Sequence, residues 1–392
     1  MNDAAPSVVV VGSGLAGWGV LRELRRLSPE AKLTLVTGED GHFYSKPALS
    51  TAFAKGKTAE TLITSNVDKM IAQLKLDARL GRQAESIDRT GKVLLTTGGP
   101  IAYDVLVLAM GASPFRPEIG GDATHRALAV NQLDHYAAFR EALPDGARVL
   151  IMGAGLVGSE FANDLVTSGY RPIVVDMLGW PLAQLVPEAV GRKVEAALGE
   201  AGVEWHFGRR VTAIDFAKPG YAATLDDGTV IEAAIVLSAV GLRPNIALAE
   251  EAGLEVGSAI KVDCFGRTSD PNIFAIGDCA QYPAGAAAYV TPIMGAARGI
   301  AATALGTPTE MKFPPLSVQV KTTLCPINLL APPRETEGEW RLAEDDHAGT
   351  KHLFVDRAGI LRGYVITNDQ CEQRSALDAA VGTPIEKIGE PA

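Results

Sequence analysis

The sequence predicts an α/β protein. It should hold two Rossmann-like dinucleotide-binding domains, the second inserted in the first, and a small α+β C-terminal domain. Three observations carry this. The turn Gly12-Ser13-Gly14-Leu15-Ala16-Gly17 closes the β-branched run SVVVV. The same pattern returns as Gly153-Ala154-Gly155-Leu156-Val157-Gly158, closing RVLIM. Two similar apolar strands, 103–111 and 234–241, lie on either side of that second turn. Each ends in glycine (Gly111, Gly241) and leads to proline (Pro114, Pro244). Strands alternating with helices imply parallel βαβ units, and the matched flanking strands mark two crossings between domains.

The elements follow in order. After the first turn, Leu15 to Leu27 carries apolar residues at helical spacing, and 32–36 is the next strand. Residues 91–100 and 225–229 carry the turn chemistry of small antiparallel hairpins. The second turn opens a helix from Leu156 to about Ser168, followed by the strand PIVVD. A further strand, 273–276, ends in Gly277-Asp278. The tail from 313 begins FPPLSV and reads as a separate strand-rich domain. The expected boundaries are 1–114 with 242–312 for the first domain, 115–241 for the second and 313–392 for the third.

Composition narrows the function. The chain has 392 residues and a net charge of −10. That balance argues against a nucleic-acid surface, because phosphate backbones need clustered Lys and Arg. No apolar run reaches the length of a membrane span. Residues 1–7 lack the charged and apolar regions of a secretion signal, so a cytoplasmic location is expected. The four cysteines, Cys264, Cys279, Cys325 and Cys371, form no C-x-x-C pair, which removes dithiol–disulfide chemistry. The six histidines are scattered, and no metal site is expected.

In each fingerprint the first glycine permits the tight turn, the second admits a pyrophosphate and the third lets helix and strand pack closely. The pyrophosphate then faces a helix N-terminus, where free N–H groups and the dipole favour negative charge. An acidic residue about 20 positions on should hold the ribose. Asp176 fills that place in the second unit. It opposes a 2′-phosphate, and Met177 and Leu178 supply no cation for one, which favours NADH over NADPH. In the first unit the equivalent position is Thr37, with Glu39 and Asp40 just beyond. Thr37 or Glu39 could bond a ribose, and the sequence does not choose between them.

The run Arg267-Thr268-Ser269-Asp270-Pro271-Asn272-Ile273-Phe274-Ala275-Ile276-Gly277-Asp278 resembles the second flavin motif of the pyridine nucleotide–disulfide oxidoreductase superfamily. The resemblance implies the glutathione-reductase type of fold, with FAD on the first unit and NAD(H) on the second. Carried over, Asp278 holds the ribitol of FAD, and Thr291-Pro292 opens a helix aimed at the flavin. Tyr44-Ser45-Lys46-Pro47-Ala48-Leu49-Ser50 resembles a segment of the cysteine-free branch that lies beside the flavin ring. There Lys46 sits near flavin N5, paired with Glu160 of the second unit. This implies catalytic roles for Lys46 and Glu160. It also implies an FAD site of Gly12, Gly14, Leu15, Ala16, Gly17, Thr37, Lys46, Pro47, Gly111, Asp278, Pro292 and Lys321. The implied NAD site holds Gly153, Gly155, Leu156, Val157, Gly158, Glu160, Asp176 and Gly241.

Within that branch, Val320-Lys321-Thr322-Thr323-Leu324-Cys325-Pro326, followed by Ala331-Pro332-Pro333, is similar to the rubredoxin reductases. The resemblance implies hydride transfer from NADH to FAD and single electrons passed on to rubredoxin. Lys321 would approach the flavin or the partner surface, or else serve as an edge-strand lysine. Lys and Arg near 312–334 would offset the negative charge of both proteins. A monomer is expected. Other readings stay open. They are a ferredoxin or flavorubredoxin reductase, an oxygen-using NADH oxidase, and an NADH-sensing flavoprotein acting through protein contacts.

Overall fold

The computed structural model describes residues 6–283, 293–311, 313, 317–333 and 335–387. It divides into two compact units, 1–45 with 63–113 and 242–314, and 46–62 with 114–241 and 315–392. Pro292, with Thr291 before it, lies outside the described residues.

The first unit is built on a five-stranded parallel sheet. Its strand order is Ile273–Ala275, Val105–Leu108, Ser7–Val11, Lys32–Thr37, Asp77–Leu80. A central parallel strand is covered on both faces, so it reads as a continuous apolar run. Accordingly Val8, Val9, Val10, Leu106, Val107 and Leu108 are fully buried. Helix Leu15–Leu27 returns the chain, with Trp18 fully buried and its indole donating to the Gly41 carbonyl at 3.2 Å. Ala84–Asp88, Val93–Thr96 and Gly99–Ala102 form a separate antiparallel sheet.

The second unit repeats the plan with four parallel strands, ordered Glu204–Phe207, Arg171–Asp176, Arg148–Met152, Ile235–Ser238. Helix Leu156–Thr167 follows its glycine turn. A three-stranded antiparallel sheet, Val211–Phe216, Tyr221–Leu225 and Val230–Ala233, covers one side through Ile214, Ala223 and Ile231. The tail forms a five-stranded antiparallel sheet with Val318–Val320 at one edge and Gly338–Asp346 at the other.

One segment departs from the continuous boundary at 114. Residues 46–62 pack with the second unit. The cause is Phe53, whose ring meets Tyr136, Phe139 and Tyr170 edge-on at 5.5–5.7 Å. Such aromatic pairs add about 0.5–1.5 kcal/mol each beyond area burial. Among the described residues no helix is long and apolar enough to cross a membrane, and no group of His, Cys, Asp and Glu could hold a metal ion.

Candidate functional site

The two glycine turns are built alike. Gly12 N–H donates to the Val36 carbonyl and Gly153 N–H to the Val175 carbonyl, both at 2.8 Å. Gly12 has φ +109° and Gly153 φ +102°, a region that favours glycine. A Cβ on Gly12 would lie 2.3 Å from the Ala109 carbonyl oxygen, and one on Gly153 would lie 2.6 Å from that of Ala239. The third glycines are tighter. A Cβ on Gly17 or Gly158 would lie 1.9 Å from the carbonyl oxygen of Gly12 or Gly153. The middle glycines, Gly14 and Gly155, face open space, with nothing within 4 Å of a Cβ there. Each is also the N-cap of its helix, and neither helix has a side-chain cap or an acid in its first turn. Leu15 and Ala16, and Leu156 and Val157, therefore begin helices whose first amides are uncapped by side chains. Both cradles fit a pyrophosphate.

The first cradle has a neighbour from far along the chain. Gly277, φ +79°, sits against Ala16, and its Cβ would come within 3.3 Å of the Ala16 side chain. Asp278 follows in the short 3-10 turn Gly277–Cys279. Fold and motif thus bring Gly277-Asp278 to the mouth of the first fingerprint. Thr37 is buried, its hydroxyl bonded to Ser13 Oγ at 2.9 Å and accepting the Glu39 amide at 3.1 Å. That side chain is engaged inside the turn. Gly111, φ +64°, ends the first crossing strand, and its carbonyl accepts the Asn245 amide at 3.0 Å. Its counterpart Gly241, φ +113°, accepts the Phe115 amide at 2.9 Å.

At the second cradle, Asp176 ends its strand. Its carboxylate accepts the Ala154 amide at 2.6 Å and the Leu178 amide at 2.7 Å. Met177 beside it is 70% exposed. The fold also brings Arg209 close, its amide donating to the Asp176 carbonyl at 3.1 Å. Local spacing gave no sign of this cation, because it arrives from the neighbouring strand. Its guanidinium is engaged by Asp227 at 2.6 Å, whose carboxyl is held down to about 2 by the Thr229 amide and hydroxyl and by Arg209.

Glu160 lies in the first turn and a half of helix Leu156–Thr167 and is 6% exposed. A buried carboxylate needs donors, and it has three. The Ser50 hydroxyl donates to Oε2 at 2.5 Å, the Lys321 amide donates to Oε1 at 3.0 Å, and Lys321 Nζ lies 3.7 Å from Oε2. Lys321 Nζ also donates to the Pro47 carbonyl at 2.6 Å, and Ser50 Oγ lies 3.3 Å from the same oxygen. Four residues from three distant segments close a ring. The resemblance pairs Glu160 with Lys46. The cation that the structure sets on Glu160 is Lys321, just past the edge strand Val318–Val320. Lys46, half-buried, opens the 3-10 turn Lys46–Thr51. Burial lowers the Lys321 pKa, with Lys55 acting the same way and Glu160 opposing both.

The same helix face continues with Asn163 and Asp164, both about 2% exposed. Asn163 donates to Thr323 Oγ1 and accepts the Leu324 amide, each at 3.1 Å. Asp164 accepts the amides of Phe53 at 2.8 Å and Ala54 at 3.0 Å. Neither residue was singled out in the sequence for chemistry. Their signal was the likeness of the run Glu160 to Leu165 to the rubredoxin reductases, and two polar residues at positions that an amphipathic helix of an α/β unit should bury as apolar. Cys279 and Cys325 are buried, and burial pushes both thiols up to about 11, unlike nucleophilic cysteines.

Residues 6–298 match the family described as pyridine nucleotide-disulphide oxidoreductase. The chain belongs to that family. Residues 310–381 match a second description, rubredoxin binding C-terminal domain. Among family members, a rubredoxin-NAD(+) reductase from Alcanivorax borkumensis is 38% identical over 95% of this chain and 97% of its own. A nitric oxide reductase FlRd-NAD(+) reductase from Aeromonas hydrophila is 36% identical over 94% of this chain and 95% of its own. Among solved structures, a ferredoxin reductase from Rhodopseudomonas palustris matches with a TM-score of 0.88 and 26% identity, over 98% and 97% of the two chains. The family fold is the one described above.

Proposed function

We propose that this chain is an FAD-dependent enzyme that passes electrons from NADH to a rubredoxin. The observation that carries the cofactor reading is the pair of equivalent open cradles, one met by Gly277-Asp278 and the other carrying Asp176. The iron-protein reading is supported by the match of 310–381 to a rubredoxin-binding domain and by the names of the relatives. FAD is assigned to 1–114 with 242–312, NADH to 115–241 and the iron-protein contact to 313–392.

The residues would divide the work as follows. The amides after Gly12 and Gly14 bind one pyrophosphate, and those after Gly153 and Gly155 the other, each at a helix N-terminus. Asp278, together with Thr37 or Glu39, orients the sugar portions of the first ligand. Asp176 takes the adenine ribose of the second and repels a 2′-phosphate. Lys46, Glu160 and Lys321 set the charge beside the reacting ring. When bound, FAD would accept a two-electron hydride equivalent and release electrons singly, chemistry that no side chain here supplies. The protein contributes position and electrostatics. A monomer in the cytoplasm is the accompanying reading.

The test is rapid mixing of the FAD-loaded protein with NADH or NADPH, followed by oxidised rubredoxin, flavorubredoxin or ferredoxin. The reading expects fast bleaching by NADH, slow bleaching by NADPH, and reoxidation fastest with rubredoxin. Slow bleaching by both nucleotides would overturn the reductase reading. Reoxidation by ferredoxin alone would overturn the acceptor. A faster reaction with flavorubredoxin would move the acceptor to the one named by the Aeromonas relative.

A further inference from the structure

We infer that Asp164 is a positioning residue for flavin reduction. Its ionised carboxylate straps the segment bearing Lys46, Pro47 and Ser50 to the helix that bears Glu160. This rests on the functional reading above and deepens it.

The geometry is that of a two-point clamp. Asp164 is 2% exposed, and its two oxygens each accept one backbone amide, from the consecutive residues Phe53 and Ala54. An ionised carboxylate carries acceptors only, so holding both amides at once requires the charged form. One turn earlier on the same helix face, Glu160 accepts the Ser50 hydroxyl. The segment is thus pinned twice. Phe53 anchors it a third time through its aromatic contacts. The Asp164 clamp fixes the polar backbone, and through it the approach of Ser50 and Pro47 to Glu160 and Lys321.

The clamp is set to respond to pH. Burial pushes the Asp164 carboxyl up to about 6, against the opposing pull of the Ala54 and Phe53 amides and Lys55, with Glu160 adding a further upward push. The charged and titratable groups around it are Glu160 on its own helix and Lys55 on the strapped segment. Helix Leu133–Ala142 adds Tyr136 and Arg140, and the tail adds Lys321 next to Glu160. Tyr136 is itself held above its ordinary value by burial, so it stays neutral across this range. A neutral Asp164 has one hydroxyl in place of an acceptor, and one of the two amides loses its partner.

The sign of the stability effect separates a clamp from a structural role. A carboxyl raised in the folded state contributes stability below its unfolded value, near 4, and loses it as pH rises through about 6. Acidification from 7 to 5 therefore costs no global stability through this group, although the clamp opens.

The experiment has two readouts on the FAD-loaded protein. The first is amide hydrogen exchange at Phe53 and Ala54, corrected for intrinsic rates, between pH 7.5 and 5. Wild type should lose about tenfold of protection at one or both amides on a midpoint near 6, with the global unfolding transition not lowered. The second is the rate of flavin bleaching by NADH, which should fall by about tenfold to a hundredfold over the same interval, the scale of a small misplacement. Asp164→Asn offers one acceptor and an opposing NH2. It should show low protection and slow bleaching at pH 7.5, with the acid limb gone. Flat protection in wild type, or an acid limb that survives in Asp164→Asn, would overturn the inference. The wild-type exchange series decides the matter even if the variant fails to fold. If NADH does not bleach wild type at pH 7.5, the functional reading fails, while the exchange data still judge the clamp.

Discussion

Glu160 gathers a hydroxyl, an amide and an ammonium group from segments 110 and 161 residues away. Removing its carboxylate strands the Lys321 amide and leaves the Ser50 hydroxyl and the Lys321 ammonium to the Pro47 carbonyl. Lys321 keeps 34% of its side chain exposed, so water softens the loss, and the full cost of an orphaned buried charge does not apply. Glu160→Ala should destabilise the fold by about 1–3 kcal/mol, the range for leaving buried partners unsatisfied. Glu160→Gln, whose single amide oxygen can still accept from one of these two donors, Ser50 or the Lys321 amide, should cost less. Urea titration at unchanged slope would read this, and equal stability of Glu160→Ala and wild type would show that the ring carries no weight. Thiols enter at the same scale. With Cys279 and Cys325 pushed up to about 11, roughly one molecule in ten thousand carries either thiolate at neutral pH. Native-state alkylation with iodoacetamide should leave bleaching by NADH unchanged, and a loss of activity in step with labelling would refute that.

At the scale of elements, the two glycine turns make the strongest separable forecast. A methyl on Gly17 or Gly158 must displace a backbone carbonyl only 1.9 Å away, which pushes the helix off its strand. Overpacking of that kind costs about 1–3 kcal/mol and disturbs the cradle just ahead of it. Gly17→Ala should be purified with little bound flavin. Gly158→Ala should keep its yellow colour and bind NADH poorly, as an absorbance titration would show. The reverse pattern would exchange the two assignments. These turns were legible in the sequence because their chemistry is local, a strand, a turn and a helix within about 20 residues. Asp176 followed from the same local spacing, and Gly277-Asp278 from its resemblance to a flavin motif. The ring around Glu160 was not, since no spacing rule links residue 50 to 160 or 160 to 321. A motif pointed to Lys46 for Glu160; that the edge of the C-terminal sheet brings Lys321 to this carboxylate was not legible. The affiliation of 46–62 was hidden as well, because it depends on Phe53 finding three aromatic rings that are distant in the chain.

For the whole molecule, the puzzle is how a chain of net charge −10 holds two further anions. The answer lies in backbone dipoles rather than in Lys and Arg. Both cradles end at helices with no acid in the first turn and no side chain over the first amides. The favourable field at such a terminus is local, within one turn of the helix, so it works against an unfavourable global charge. If the first cradle is the resident site and the second the exchangeable one, the two ligands must differ in how they support the fold. A ligand that binds only the folded state at a hundredfold excess over its Kd stabilises by about 2.7 kcal/mol. For a unit of 150–250 residues that corresponds to roughly 5–10 °C in Tm. Stripping FAD should therefore lower the melting temperature by that amount or more, and adding FAD back should restore it. NADH added to the stripped protein should give a much smaller rise. Circular dichroism melts of the loaded, stripped and reconstituted protein would show this order, and a larger rise with NADH than with FAD would mean that the cradle met by Gly277-Asp278 is not the resident site.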